Sequence, residues 1–236
     1  MVRTRIGTLR RTACLALALA LLILGTMVGT TTAQSATWLD STPRAWNVPA
    51  AGPPKAPPLQ NGDPRCRTRE VSPSSAEESL LTGMGWKLEA YWPALVIGER
   101  TLVTALADYD GMCRPLAFNV FVFTSGKYAG TLSPVNMNSR SDGVLDTPNG
   151  KFGVSDWPDG RIQAVFTRYA AADPLCCPSR GTTTVTYQVH MLNGSPVLVP
   201  VTLSSSAAAI ARVPAQMPAT GGGGGAGGRR NLETTK

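Results

Sequence analysis

Three pairs of apolar runs, each closed by a turn, constrain this chain more than any other feature. "LAFNVFVFTSGKYAGTLSP" joins its runs through Ser125-Gly126-Lys127, "GKFGVSDWPDGRIQAVFTRYA" through Trp157-Pro158-Asp159-Gly160, and "TTTVTYQVHMLNGSPVLVPVTL" through Asn193-Gly194. Asn-Gly between alternating apolar residues is the strongest short-range hairpin signal. With a leading strand in "ERTLVTALADYDG", the pattern predicts a mainly β, α+β domain built on an antiparallel meander sheet of six to eight strands. Alternation over Thr184-Val185-Thr186-Tyr187-Gln188-Val189 predicts a half-buried sheet with one wet face. One N-terminal helix is expected over "SPSSAEESLLTGMG" and should cover one face. Ser74 is its N-cap, Glu77 the capping-box partner, and Gly83 or Gly85 the stop.

The flanks differ in kind. Residues 1–35 open with Arg3, Arg5, Arg10 and Arg11, continue in the apolar run "ACLALALALLILGTMV" and end in small polar residues, the order of a secretory signal. Cleavage after Ala33 or Ser35 suits the small-residue rule. The apolar run is shorter than the ~20 residues that span a bilayer, so membrane contact is expected only through this segment if it stays uncleaved. Residues 36–65 hold Pro43, Pro49, Pro53, Pro54, Pro57, Pro58 and Pro64 with little apolar periodicity, which predicts a disordered, proline-rich linker. Residues 212–236 are glycine-rich and expected to be a disordered tail; they include "MPATG" (Met217 to Gly221), which looks like a wall-anchoring signal without its apolar continuation. The folded domain is expected over 66–211.

The formal charge of +7 sits mostly outside that domain. Residues 66–211 carry eleven basic and twelve acidic side chains. A nucleic-acid binder concentrates positive charge on its folded part, because neutralising phosphates drives affinity, so that class is excluded.

Cys66, Cys113, Cys176 and Cys177 follow the signal. An even count in an exported chain points to disulfides. Zinc would want spaced cysteine pairs or several histidines, and a redox dithiol would want two residues between its sulfurs. Bonding of the adjacent pair to itself closes a small, strained ring. The remaining arrangement has one of Cys176 and Cys177 reaching Cys66 and the other Cys113, since neighbours on an extended chain point to opposite sides. Each such closure would add on the order of 3–4 kcal/mol. No metal and no cofactor is expected.

Other candidate chemistry is thin. "DYDGMC" opens like a calcium loop with Asp108, Asp110 and Gly111, then departs from the ligand pattern at Met112 and Cys113. His190 is the one histidine and sits in an alternating strand, without a nucleophile elbow anywhere in the chain. Paired carboxylates could still meet in space.

"NVFVFTSGKYAGT" and "DPLCCPSRGTTTVTYQ" together resemble the LppP/LprE family of bacterial envelope lipoproteins, with "DGMC" matching a cysteine upstream of the hairpin. The likeness runs from about Cys113 to Gln188. No lipid-acceptor cysteine follows the apolar run. The resemblance implies an extracytoplasmic domain without an established enzymatic activity, and carries no catalytic residues across. The expected function is therefore an exported, non-catalytic domain, secreted or held in the cell envelope, that binds or structurally assists an envelope partner of unknown identity. The alternatives are an extracellular hydrolase with carboxylates converging in space, and a calcium-dependent binding module.

Overall fold

The structure, a computed structural model, describes residues 37–58, 63–146, 154–156, 160–174 and 176–207. The signal with its cleavage sites Ala33 and Ser35, and the tail from 212, lie outside the described residues. Within them, strands β1 (Glu70–Val71), β2 (Leu88–Glu89), β3 (Leu95–Ile97), β4 (Arg100–Ala105), β5 (Asp108–Tyr109) and β6 (Pro115–Leu116) follow one another. Then come β7 (Asn119–Thr124), β8 (Lys127–Thr131), β9 (Val144–Leu145), β10 (Val154–Asp156), β11 (Arg161–Thr167), β12 (Thr182–Leu192) and β13 (Ser195–Ser206). Helix α1 spans Ala76–Gly83.

All the strand pairing is antiparallel, but the single meander does not form. Two main sheets do, β3-β4-β7-β8 and β10-β11-β12-β13 with β9 on β11, beside the ribbons β1–β2 and β5–β6. Burial explains the division. "NVFVF" in β7 is buried on both faces, as a continuous apolar run can be. Val120 and Val122 join Leu102 in a core shared with Ile162, Phe166, Val185 and Tyr187 of the second sheet. Phe121 and Phe123 join Val103, Leu81 of α1, Trp86 and Leu88 in another. The first sheet is thus the middle layer, with no wet face along β7. β12 alternates from Thr182 to Val185, but Thr186 is buried as well, at a bulge before Tyr187, while His190, Met191 and Leu192 stand exposed near the far end.

Turn chemistry holds where it can be seen. Asn193 and Gly194 sit at φ 52° and 77°, Ser125 and Gly126 at 48° and 74°, the left-handed pairs that a two-residue hairpin needs. A fourth hairpin, β3–β4 through Gly98 and Glu99, was not anticipated. The helix begins one residue later than expected. Ser75 is the N-cap and Glu78 its partner: the Ser75 hydroxyl accepts from the Glu78 N–H at 3.1 Å, and the Glu78 carboxylate accepts from the Ser74 and Ser75 N–H groups. This register turns Glu78 and Leu81 onto the buried face.

The largest correction concerns the linker. Residues 37–58 form a strap across both layers. Leu39 is buried in the core, and Trp38 meets Trp46 and Phe166 edge-on at 5.1 and 5.2 Å. Pro53 is buried, the Pro54 carbonyl accepts from Trp86 Nε1 at 2.7 Å, and Ala56 N–H donates to the Met84 carbonyl at 3.0 Å. Proline lacks an N–H and presets an extended backbone, so such a strap can lie on a surface without joining a ladder. Its tryptophans supply the buried area that proline counting overlooks.

Asn47 marks the seam where β8 lies against β13. Its Nδ2 donates to the carbonyls of Thr131 at 3.2 Å and Leu198 at 2.9 Å, and its Oδ1 accepts from Thr131 N–H at 2.9 Å. The carboxamide acts as one peptide unit inserted between two sheet edges. Gly130, at φ 145°, leaves the space: a Cβ there would land on the Asn47 carboxamide.

Candidate functional site

The four cysteines pair differently from the cross-linked arrangement. Cys66 is joined to Cys113, and Cys176 to its neighbour Cys177. Cys66 is buried in the 3-10 turn Pro64–Arg69, whose Arg69 donates to the Cys113 carbonyl, so these two elements already share a corner. Closing 47 residues of sequence, that bond is worth about 4 kcal/mol by chain entropy. The adjacent pair closes no long loop, so the second expected staple is absent and its stabilisation with it.

The Cys176–Cys177 pair is exposed on a pinned loop. The Ser179 side chain, with the N–H groups of Ala170 at 2.6 Å and Ser179 at 2.7 Å, donates to the Asp173 carboxylate and holds it below the ordinary carboxylate range. Cys177 N–H donates to the Pro174 carbonyl at 2.9 Å. Arg180 pairs with Asp40 of the strap at 3.1 Å and with Asp142 at 3.6 Å. Beside it the buried Arg168 reaches Asp40 at 2.7 Å, Asp142 at 2.9 Å and the Thr183 hydroxyl at 3.1 Å. In "DPLCCPSR", Asp173 and Ser179 therefore close the loop, Arg180 ties it to the strap, and the cysteines form its tip.

A cleft of about 320 Å³ lies between the two disulfide-bearing segments. Arg114, the residue after Cys113, and Pro178, the residue after Cys177, both line it. Trp92 and Tyr169 add aromatic surface, with Trp92 packed on the buried Phe118 at 5.3 Å. The polar part of the lining comes from Ser139, Arg140, Asp146 and Thr167. Arg114 is occupied by Asp110. Arg140 is exposed, stands at φ 60°, and makes no ion pair among the described residues. Burial pushes the Tyr169 phenol up; Arg140 pulls against this, and Asp173 and Asp146 reinforce it. The Asp146 Oδ1 accepts from the Thr167 hydroxyl at 3.2 Å.

Carboxylates do converge, but elsewhere. Glu70 and Asp108 meet Lys87 Nζ at 3.1 and 3.2 Å, and Glu89 meets Arg69 Nε at 3.2 Å. Burial raises the Glu89 carboxyl against the pull of Arg69, and burial with the charges of Glu89 and Glu70 raises the Tyr109 phenol. This group surrounds the β1–β2 ribbon, and each acid has a basic partner; among the described residues the cleft lining contains one acid, Asp146. In the calcium-like stretch, Asp108 faces Lys87, while Asp110 accepts from the N–H groups of Met112 and Arg114 at 2.8 and 2.9 Å. His190 stands exposed near the far end of β12, and the cleft lining does not include it.

Residues 100–190 match the LppP/LprE lipoprotein family. The LppP/LprE-like region runs from β4 into β12 and includes Arg114, Arg140, Tyr169, the cysteine pair and Pro178. Gly130 and Thr131, which receive Asn47, also fall within it. In coarse terms the match associates the chain with the cell envelope. No curated protein and no solved structure matches the chain. Sequence reasoning missed Trp92, Arg140 and Tyr169, which come from separate connections and share no spacing.

Proposed function

We propose that this is an exported, non-catalytic envelope domain that acts by holding a small ligand in the cleft between its two disulfide-bearing segments. The observation that carries the reading is the cleft itself: aromatic surface from Trp92 and Tyr169 beside the exposed cation Arg140, which has no ion-pair partner among the described residues. Small-molecule sites combine apolar walls with a few polar groups in this way, at volumes of about 300–1,000 Å³. The LppP/LprE-like match supports the envelope setting, and the signal-like start supports export. The near-neutral charge of residues 66–211 speaks against a nucleic-acid partner.

The test is a thermal-shift and NMR panel of envelope fragments (glycan pieces, short peptides, lipid headgroups) on the oxidised full chain, followed by analysis of the recovered ligand. The expected result is at least one fragment that shifts the Trp92 indole signal and is recovered unchanged. Turnover of a fragment that stops in Asp146→Asn would replace binding by hydrolysis. A calcium-induced, chelator-reversed rise in melting temperature would favour the calcium module, although Asp108 and Asp110 already have internal partners.

A further inference from the structure

The polar groups of the cleft are of opposite sign and share one neighbour. Arg140 and Asp146 both act electrostatically on Tyr169, and all three line the cleft with Trp92. A purely apolar ligand would lie against a carboxylate and a guanidinium while offering neither a polar partner, which is unfavourable. A bare multivalent anion would face Asp146. A ring with C–H faces and a hydroxyl edge fits better: aromatic side chains cover the faces, and a carboxylate accepts from the hydroxyls. A sugar carrying its own carboxylate would also occupy Arg140. A volume of about 320 Å³ suits one or two sugar rings.

We propose that the cleft binds a carboxylate-bearing sugar. Trp92 and Tyr169 lie against the ring, Asp146 accepts from its hydroxyls, and Arg140 binds the carboxylate. The assignment rests on the reading of the cleft as a binding site.

The experiment titrates the oxidised full chain at 0.15 M salt with the disaccharide of glucuronic acid and N-acetylglucosamine, and with neutral chitobiose. The readout is the Trp92 indole N–H signal, assigned with Trp92→Phe. Expected are tighter binding of the acidic disaccharide by about tenfold or more, the scale of one charge-assisted hydrogen bond, and loss of that preference in Arg140→Ala. Arg140→Ala should melt with the wild type, because its side chain is exposed. Asp146→Asn should weaken both sugars. Equal binding of chitobiose, or an equal response to acetate or glycylglycine, overturns the assignment. So does silence with both disaccharides. If another fragment of the panel still shifts Trp92, only the sugar class is lost; if none does, the binding reading falls with it.

Discussion

The seam at Asn47 offers a quantitative test of how the two sheets are joined. Asn47→Ala deletes three hydrogen bonds to Thr131 and Leu198 and leaves the N–H of the buried Thr131 without that partner. At a net ~1 kcal/mol per bond, with a penalty for an unpaired buried donor, the loss is about 2–4 kcal/mol. Gly130→Ala drives a Cβ into the same carboxamide and strains a backbone at φ 145°. It should therefore forfeit the Asn47 bonds and add about 1–3 kcal/mol of strain, roughly 3–7 kcal/mol altogether. In the double variant the bonds can be lost only once, so it should be about as stable as Gly130→Ala alone. The coupling is then about 2–4 kcal/mol, far outside the ~0.5 kcal/mol scatter of independent sites. Urea unfolding followed by far-UV circular dichroism and tryptophan fluorescence measures it, coincident transitions confirming two-state behaviour. Additive effects, or a Gly130→Ala protein as stable as the wild type, would refute the claim that this glycine exists to seat Asn47.

Three further outcomes are expected. Arg168→Ala leaves Asp142 and Asp40 without their principal counter-ion and should cost about 3–5 kcal/mol; Arg168→Lys should recover only part, because an ammonium cannot fork to both acids, and full recovery would contradict the clasp. For Asp40, burial pushes the carboxyl up, but hydrogen bonds from Arg168 and Thr37 and the charges of Arg168 and Arg180 outweigh it and hold the group at about 2. A folded value below the unfolded one means stability that is present above about pH 4 and lost as pH falls toward 2, so Asp40→Asn should flatten the fall of Tm across that window, and parallel slopes would exclude the clasp as a source of acid sensitivity. Finally, a mild dithiol followed by alkylation and mass spectrometry should label the exposed Cys176 and Cys177 before buried Cys66, with the far-UV spectrum unchanged because Asp173 and Arg180 still hold the loop. Equal labelling of Cys66 would contradict the burial argument.

Sequence reading succeeds here where the determining interactions are local. Asn193-Gly194 and Ser125-Gly126 dictate their own backbone, so two of the hairpins were legible without any tertiary contact. "NVFVF" holds a signal that the expectation of a half-wet sheet overlooks, since five buried residues in a row need cover on both sides and therefore a second layer. The strap is not legible in its prolines, because proline content indicates extended chain but not whether that chain is bound; Trp38, Leu39 and Trp46 carry the contrary signal. Cysteine pairing depends on which corners meet, and nothing in the spacing reveals that Cys66 and Cys113 share one. Trp92, Arg140, Asp146 and Tyr169 are spread over nearly eighty positions and come together only once the sheets pack.

The strap also bears on how far the unit that folds extends past the stretch that families share. A fragment cut to residues 100–190 would keep Cys113 as an orphan thiol, strip β12 of its outer neighbour and bare the aromatic side chains beneath Trp38 and Trp46. Unprotected strand edges and a free sulfur invite aggregation and intermolecular cross-linking. Boundaries for expression, and for any transplant of this fold onto another protein, should follow the tryptophans rather than the homology.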